Sequence, residues 1–423
     1  MSGDTRLEHA LPGILEELGA GPSPDYTELI LARTAAVSQR PGWMVPERWL
    51  SMSAISERLT AAPRLPMRAI GVVALLILIL AAAAFIVGGQ RRQLPLPYGP
   101  AGNGLVVYAA DSDIYVGDPL TRAARQLTSG PEVDGFPGYT KDGTMITFLR
   151  SAAGDPLIAA HLMIVEANGS EPRQLSDELL TGVSAGDGSG DGASLAVVSR
   201  IGAISSITVF DTASGAERLL DVGMPVEHVS FRPPNGDELL FVGLEGGEQS
   251  IYTIGTDGSN KHLVVGPTTG IQGPQWSPDG SRIAFSQFDG ATNRVFTHVV
   301  GADGTGDVVL QNPPGVIYQL FPVWSPDGRS VVVARGYWDD APTVPDGTAA
   351  DYSRLAIIAV DGSAPDKELC DCFSSYEAGW GWSPDGTKLI SNLDGEFSVI
   401  DIETGEETSF DGWLTANWQR VAE

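Results

Sequence analysis

An all-β fold assembled from a repeated four-stranded unit is what this sequence predicts, and three observations carry it. The phrase Trp-Ser-Pro-Asp-Gly occurs three times, beginning at Trp276, Trp324 and Trp382. Degenerate copies begin at Tyr139, Gly188 and Phe231, so successive starts lie 49, 43, 45, 48 and 58 residues apart, around the length of a propeller blade. Each copy runs into a β-rich stretch (MITFLR, SLAVVS, ELLFVG, RIAFSQ, SVVVAR, KLISNL). The expected fold is therefore a β-propeller, preceded by one transmembrane helix and a small helical N-terminal segment.

Within each repeat the turn residues set the geometry. Proline fixes φ, and Asp-Gly supplies the positive φ that hairpin turns need, so Asp142, Asp191, Asp279, Asp327 and Asp385 are structural turn residues. A further strand follows, as in Ile251–Ile254, and then a second turn such as Asp257-Gly258 or Asp361-Gly362. The aromatic before each turn is expected to fill the wedge between neighbouring sheets. The first strands of the domain, beginning at Leu105, lack a partner ahead of them, whereas Ala416-Asn-Trp418 matches Pro274-Gln-Trp276 and then stops. Joining the two ends makes one shared closing blade and covers the edges that an open ring exposes. Six internal starts plus this closure give seven blades; six is the alternative, because the copy at Gly188 is the most worn.

Trp-Ser-Pro-Asp-Gly followed by an Ile-Ala-Phe strand resembles the WD40-like propeller repeat of the TolB family, over about residues 104–420. The resemblance implies a propeller outside the cytoplasmic membrane that serves as a binding or scaffold module. This chain departs from that pattern because its propeller is expected to be tethered to a membrane helix with a cytoplasmic segment, so the TolB partner set is not carried over.

Residues 1–67 read as a cytoplasmic helical or partly ordered segment, with Leu11, Ile14, Leu15 and Leu18 at helical spacing before Gly19-Ala20-Gly21-Pro22. A second run after Asp25 carries Leu29, Ile30 and Leu31. The stretch Ala69–Gly89 carries no charge over 21 residues. At about 1.5 Å per residue it spans roughly 30 Å, the hydrocarbon thickness of a bilayer, so it reads as a transmembrane helix. Residues 90–103 form a proline-rich linker, and residues 104–423 the propeller. Arg48, Arg58, Arg64 and Arg68 precede the apolar run against Arg91 and Arg92 after it, which favours a cytoplasmic N-terminus and an extracytoplasmic propeller.

The charge is 26 minus 53, or −27, and residues 1–68, with seven arginines and eight acids, hold only −1 of it. The remaining −26 lies on the large domain and repels phosphate backbones, which excludes nucleic acid as a partner. There is no Gly-x-Ser-x-Gly elbow, and His9, His161, His228, His262 and His298 are scattered without ligand spacing, so neither an enzyme nor a cofactor is expected. Asp187, Ser189 and Asp191 resemble the first half of a calcium loop, but Val198 stands where the bidentate glutamate belongs, and the in-phase Asp191-Gly192 reads as a repeat turn. Cys370 and Cys372 fall at i and i+2, a spacing strained for a disulfide.

Binding groups concentrate on loops held by rigid scaffolds, so the long connections are where a ligand site is expected. Turns between strands 1–2 and 3–4 are expected to be tight, and the opposite face to carry the long loops. The candidate ligand-binding rim there is Tyr337, Trp338, Asp339, Asp340, Tyr376 and Glu377, aromatic anchors beside acids that suit a basic partner or cation. The expected function is a membrane-anchored module for a protein or cell-wall-associated ligand. The alternatives are an anti-sigma-like transmembrane regulator, whose N-terminal segment holds a cytoplasmic partner, and a propeller enzyme. Protease added to intact spheroplasts is expected to digest or release the propeller and spare residues 1–67; a protected propeller would reverse the orientation.

Overall fold

The computed structural model describes residues 98–201, 204–337, 353–370, 380–393, 396–410 and 414–422. The expected N-terminal segment, the apolar run Ala69–Gly89 and most of the linker lie outside the described residues. Among the described residues, every regular element is a β-strand, and no helix is long and apolar enough to cross a membrane.

The described residues hold twenty-eight strands, which make a propeller-like series of four-stranded antiparallel modules. In chain order the modules cover 133–174, 180–220, 226–268, 272–310, 316–370 and 380–410, numbered here 2 to 7. Module 1 takes its first strand from the C-terminus: Leu414–Val421 pairs with Gly102–Ala110, with Gly102 opposite Val421, Val106 opposite Trp418 and Ala109 opposite Leu414. The two ends of the domain thus share one sheet, as the matching Ala-Asn-Trp predicts. Two pairs of modules also merge at their edges, where Ala160 pairs with Leu180 and Val295 pairs with Tyr318.

The core lies between modules rather than within them. Phe231 packs with Val198 and Ile207 of module 3 and with Leu239 and Phe241 of its own module. Trp276 joins Leu240 and Ile251 to Ile283 and Phe285, Trp324 joins Ala284 and Val299 to Val331 and Val333, and Trp418 joins Phe397 and Phe410 to Val106. Each of these aromatics is nearly buried, so each contributes about 2–3 kcal/mol by area removed from water. The Trp324 indole donates to the Gln275 carbonyl at 3.2 Å and the Trp382 indole to the Val323 carbonyl at 3.1 Å, each reaching back to the preceding module.

The turns themselves are closed hydrogen-bond systems. In Ser-Pro-Asp-Gly the serine hydroxyl donates to the aspartate at 2.6 Å, at Ser277–Asp279, Ser325–Asp327 and Ser383–Asp385; Thr140–Asp142 and Ser189–Asp191 do the same. That aspartate also accepts a backbone N–H two residues on, as from Ser281 at 3.0 Å, and the serine accepts one five residues on, as from Arg282 at 3.0 Å. The turn glycine then nests on the module before it. A Cβ on Gly280 (φ 67°) would lie 2.0 Å from the Pro233 carbonyl oxygen, and one on Gly143 (φ 71°) 2.2 Å from that of Arg420. Arginines knit the same seam: Arg232 stacks on Trp276 at 4.9 Å and donates to Gly280, while Arg282 stacks on Trp324 at 4.8 Å and donates to Gly328.

Strand bounds correct the expected loop asymmetry in part. The second-to-third connections 152–158 and 338–352 are long as expected, but those at 111–112 and 246–247 hold only two residues, and third-to-fourth connections such as 256–261 and 360–366 are longer than these. Asp111 and Ser112 both take positive φ, as do Gly246 and Gly247, the conformation of a primed hairpin turn. Asp-Gly marks where a turn begins but not how soon the next strand pairs, which the neighbouring strand decides.

Removing residues 413–423 takes away Trp418 and leaves Gly102–Ala110 with an open edge. Loss of one buried tryptophan alone is worth about 3–5 kcal/mol. The truncated full chain is expected to unfold at clearly lower urea and to aggregate; an unchanged midpoint would refute the shared sheet.

Candidate functional site

The first strands of modules 1 to 6 carry breaks in register, and this opens the space beside them. In modules 4, 5 and 6 the first strands are Val226–Phe231, Gln272–Trp276 and Val316–Trp324, and each carries a register break. Gly273 has φ 55° and Phe321 φ 51° at the breaks. A Cβ on Gly273 would lie 3.1 Å from Phe321 Cα, so glycine lets the Phe321 backbone close down on it. Phe321 meets Trp380 edge-on, with ring centroids 6.1 Å apart.

Between these strands is a cavity of about 370 Å³, walled by Val242, Ile271, Pro274, Phe321 and Val323, with His228, Gln272 and Glu227 as its polar lining. His228 Nε2 and Gln272 Oε1 are out of solvent and have no hydrogen-bond partner among the described residues. A buried polar atom left so costs about 1–3 kcal/mol, which a bound polar group recovers. Burial holds the half-buried His228 ring below the ordinary histidine range, against the opposing pull of the Asp187 carboxylate and the Pro274 carbonyl, so the ring is neutral at neutral pH. Glu227 accepts from Gln249 Nε2 at 2.6 Å, while Gln249 Oε1 accepts from the Ile271 N–H at 2.7 Å, which fixes the adjoining wall. This arrangement can hydrogen-bond and enclose a small polar group or a side chain. Among the described residues no three His, Cys, Asp or Glu gather as metal ligands.

Of the expected rim, Tyr337 alone lies among the described residues; Trp338, Asp339, Asp340, Tyr376 and Glu377 lie outside them. Tyr337 is half-buried and engaged with its own module. Its hydroxyl donates to Glu368, and the Arg354 guanidinium stacks on its ring at 4.8 Å. Burial and then the Glu368 carboxylate push its pKa up to about 12. Beneath it Arg335, 1% exposed, pairs with Asp366 and, at 3.7 Å, with Glu368. This charged cluster anchors both ends of the 338–352 connection. Its one signal in the sequence is Arg335 itself, a lone cation ending the apolar run Ser-Val-Val-Val-Ala.

The calcium-like residues turn to different partners. Asp187 accepts from Ser230 Oγ at 3.0 Å and from the Phe231 N–H at 2.9 Å, and pairs with Lys141 at 3.1 Å. Ser189 and Asp191 close their own turn, where the Ser189 hydroxyl and then the Ala193 N–H hold the Asp191 carboxyl below the usual range. Asp142, Asp279, Asp327 and Asp385 sit in the equivalent turns described above.

A propeller-like all-β scaffold with a cavity beside its first strands is the class these features define. Residues 95–273 match the family model described as the TolB beta propeller domain, so the resemblance read from the repeats is shown. Over 87 residues the chain is 37% identical to the Tol-Pal system protein TolB of Francisella tularensis subsp. mediasiatica; the match covers 20% of this chain and 19% of that protein. The chain therefore spans about a fifth of the length of the curated relatives it matches. Two solved structures share the fold: an oligogalacturonate lyase in complex with manganese (TM-score 0.54, 14% identity, 72% of this chain and 83% of that one), and oligogalacturonate lyase from Vibrio parahaemolyticus (TM-score 0.53, 11% identity, 73% and 84%). At such identities the likeness is one of fold alone.

A histidine held below its ordinary pKa of about 6.5 binds fewer protons in the folded chain than in the unfolded one, so its contribution is complete above that pH and lost as pH falls through and below it. His228→Leu is expected to flatten the fall in melting temperature between about pH 6.5 and 5. An unaltered pH profile would show that the ring titrates freely.

Proposed function

We propose that this chain is a membrane-anchored, extracytoplasmic β-propeller of seven blades that acts as a non-enzymatic binding module, its ligand a protein or wall-associated molecule. Seven-fold closure is supported by the seams: clusters join module 1 to 2 and 2 to 3, and so on to 7 and back to 1 through Trp418. The Ala101 N–H also donates to the Pro384 carbonyl at 2.9 Å, tying module 1 to the turn of module 7. Anchoring is supported by the uncharged Ala69–Gly89, and export of the acidic domain by the arginines flanking that stretch.

The observation that carries the binding reading is the cavity where His228 Nε2 and Gln272 Oε1 have no hydrogen-bond partner among the described residues, set in a rigid ring that bears most of the −27 charge. Such a scaffold holds loops and cavity walls in fixed geometry and draws in basic surfaces. Tol-Pal system TolB proteins are the relatives whose repeats match, which fits a protein ligand here. A second reading, a transmembrane regulator, is favoured by the helical spacing of Leu11, Ile14, Leu15 and Leu18 ahead of the apolar run.

The test is co-purification with the full chain from detergent-solubilised membranes. A basic protein partner is expected to be retained at low ionic strength and shed as salt rises. Trp338→Ala with Tyr376→Ala is expected to release it at least tenfold more readily, while Asp279→Asn with Asp327→Asn lowers the melting temperature and keeps the partner. Retention by the aromatic variant, with loss in the aspartate variant, would place the site on the turn face instead.

A further inference from the structure

Single exposed apolar side chains are ordinary, but three here lie at one end of two adjoining modules. Ile158, Leu179 and Ile204 are 68%, 54% and 51% exposed. Strand pairing sets them side by side at one end of modules 2 and 3. Ala160 faces Leu180, Thr181 faces Arg200 and Ile204 faces Ile201, and the Gly182 N–H donates to the Ile158 carbonyl at 3.0 Å. That end carries the second-to-third and inter-module connections, the face opposite the Asp-Gly turns.

Phe136 adds a separate observation. It is 60% exposed and held at φ 52°, a backbone conformation that bulky residues rarely adopt. Phe321 occupies the equivalent place, four residues before its turn serine, and there the left-handed backbone seats the ring against Trp380. Phe136 has the same unfavourable backbone, yet most of its ring faces solvent. Strain kept without burial marks a functional position. Gly135, beside it, is closed over by Leu157: a Cβ there would lie 2.5 Å from Leu157 Cδ1, so the 152–158 connection that carries Ile158 is drawn up to the Phe136 strand.

The connections that carry the patch also carry exposed acids, Asp155, Asp177 and Glu178, with Arg200 the cation nearest in the strand pairing. We infer that Phe136, Ile158, Leu179 and Ile204 form the docking surface for a partner protein that presents an amphipathic segment, apolar on one side and flanked by basic residues. This rests on the binding-module reading and adds to it a further contact surface and the chemistry of the partner that surface takes. The acidic border repels anionic lipid and attracts basic protein, which decides between a bilayer and a protein as occupant.

The test uses the full chain in detergent and two labelled 14-residue peptides of equal charge, one of Leu and Lys and one of Ser and Lys, read by fluorescence anisotropy. The Leu/Lys peptide is expected to bind at least tenfold more tightly. Changing Phe136, Ile158, Leu179 and Ile204 to Ser is expected to abolish that difference, whereas changing Leu219, Leu263 and Val308 to Ser, equally apolar positions on fourth strands, keeps it. A difference that survives the first set, or falls equally with the second, overturns the inference. So does displacement of the peptide by phosphatidylcholine vesicles but not by unlabelled peptide. Phe136→Gly is expected to melt at or above the wild-type temperature; a marked drop would make Phe136 a packing residue and overturn its role here. Absence of a co-purifying partner with intact peptide discrimination would count against the wider reading alone.

Discussion

Each module of this domain is stable only against its neighbours, and the contact that enforces this is the seam between consecutive Asp-Gly turns. A four-stranded sheet of this size buries little by itself, so its apolar faces must be covered by the next sheet. The aromatic before the turn fills the wedge, the turn glycine lies against the backbone of the preceding module, and at two seams an arginine stacks on the tryptophan and bonds the glycine carbonyl. Where the three occur together they reinforce one another. A side chain at Gly280 would drive the turn off Pro233 and pull Trp276 out of its slot.

That seam also explains where binding chemistry can reside. The turn face is spent on structure, since its serines, aspartates and glycines are bonded within or between turns. Freedom is left on the first strands, whose register breaks open a cavity beside His228, Gln272 and Phe321, and on the opposite face, where Ile158, Leu179 and Ile204 stand in solvent. The Arg335–Asp366–Glu368 cluster belongs to the same side and fixes the strands from which the 338–352 connection departs.

The turns were legible in the sequence because their chemistry is local: a hydroxyl, a carboxylate and a glycine within four residues satisfy one another whatever surrounds them. The shared sheet was legible because Ala416-Asn-Trp418 keeps the spacing and the wedge residue of Pro274-Gln-Trp276. Loop lengths were not, since Asp111-Ser112 makes a two-residue hairpin without the glycine that usually announces one. Nor was the cavity. His228 and Gln272 are single residues, 44 apart in sequence, that meet only because first strands of successive modules lie side by side. Tyr337 looked like an open anchor beside acids, but the acid it uses, Glu368, comes from the fourth strand of its own module. The strain at Phe136 has no sequence signature, because nothing in Gly-Phe-Pro-Gly says which residue takes the left-handed backbone.

Native-state hydrogen exchange on the full chain tests the closed seam most directly. If the ends are locked into one ring, the amides of Gly102–Ala110 and Leu414–Val421 open with the same free energy as those of Arg282–Asp289 in module 5, because no module can leave without breaking two seams. Exchange of the terminal pair at a much lower free energy, with module 5 still fully protected, would show an open array whose last strand frays and would contradict closure.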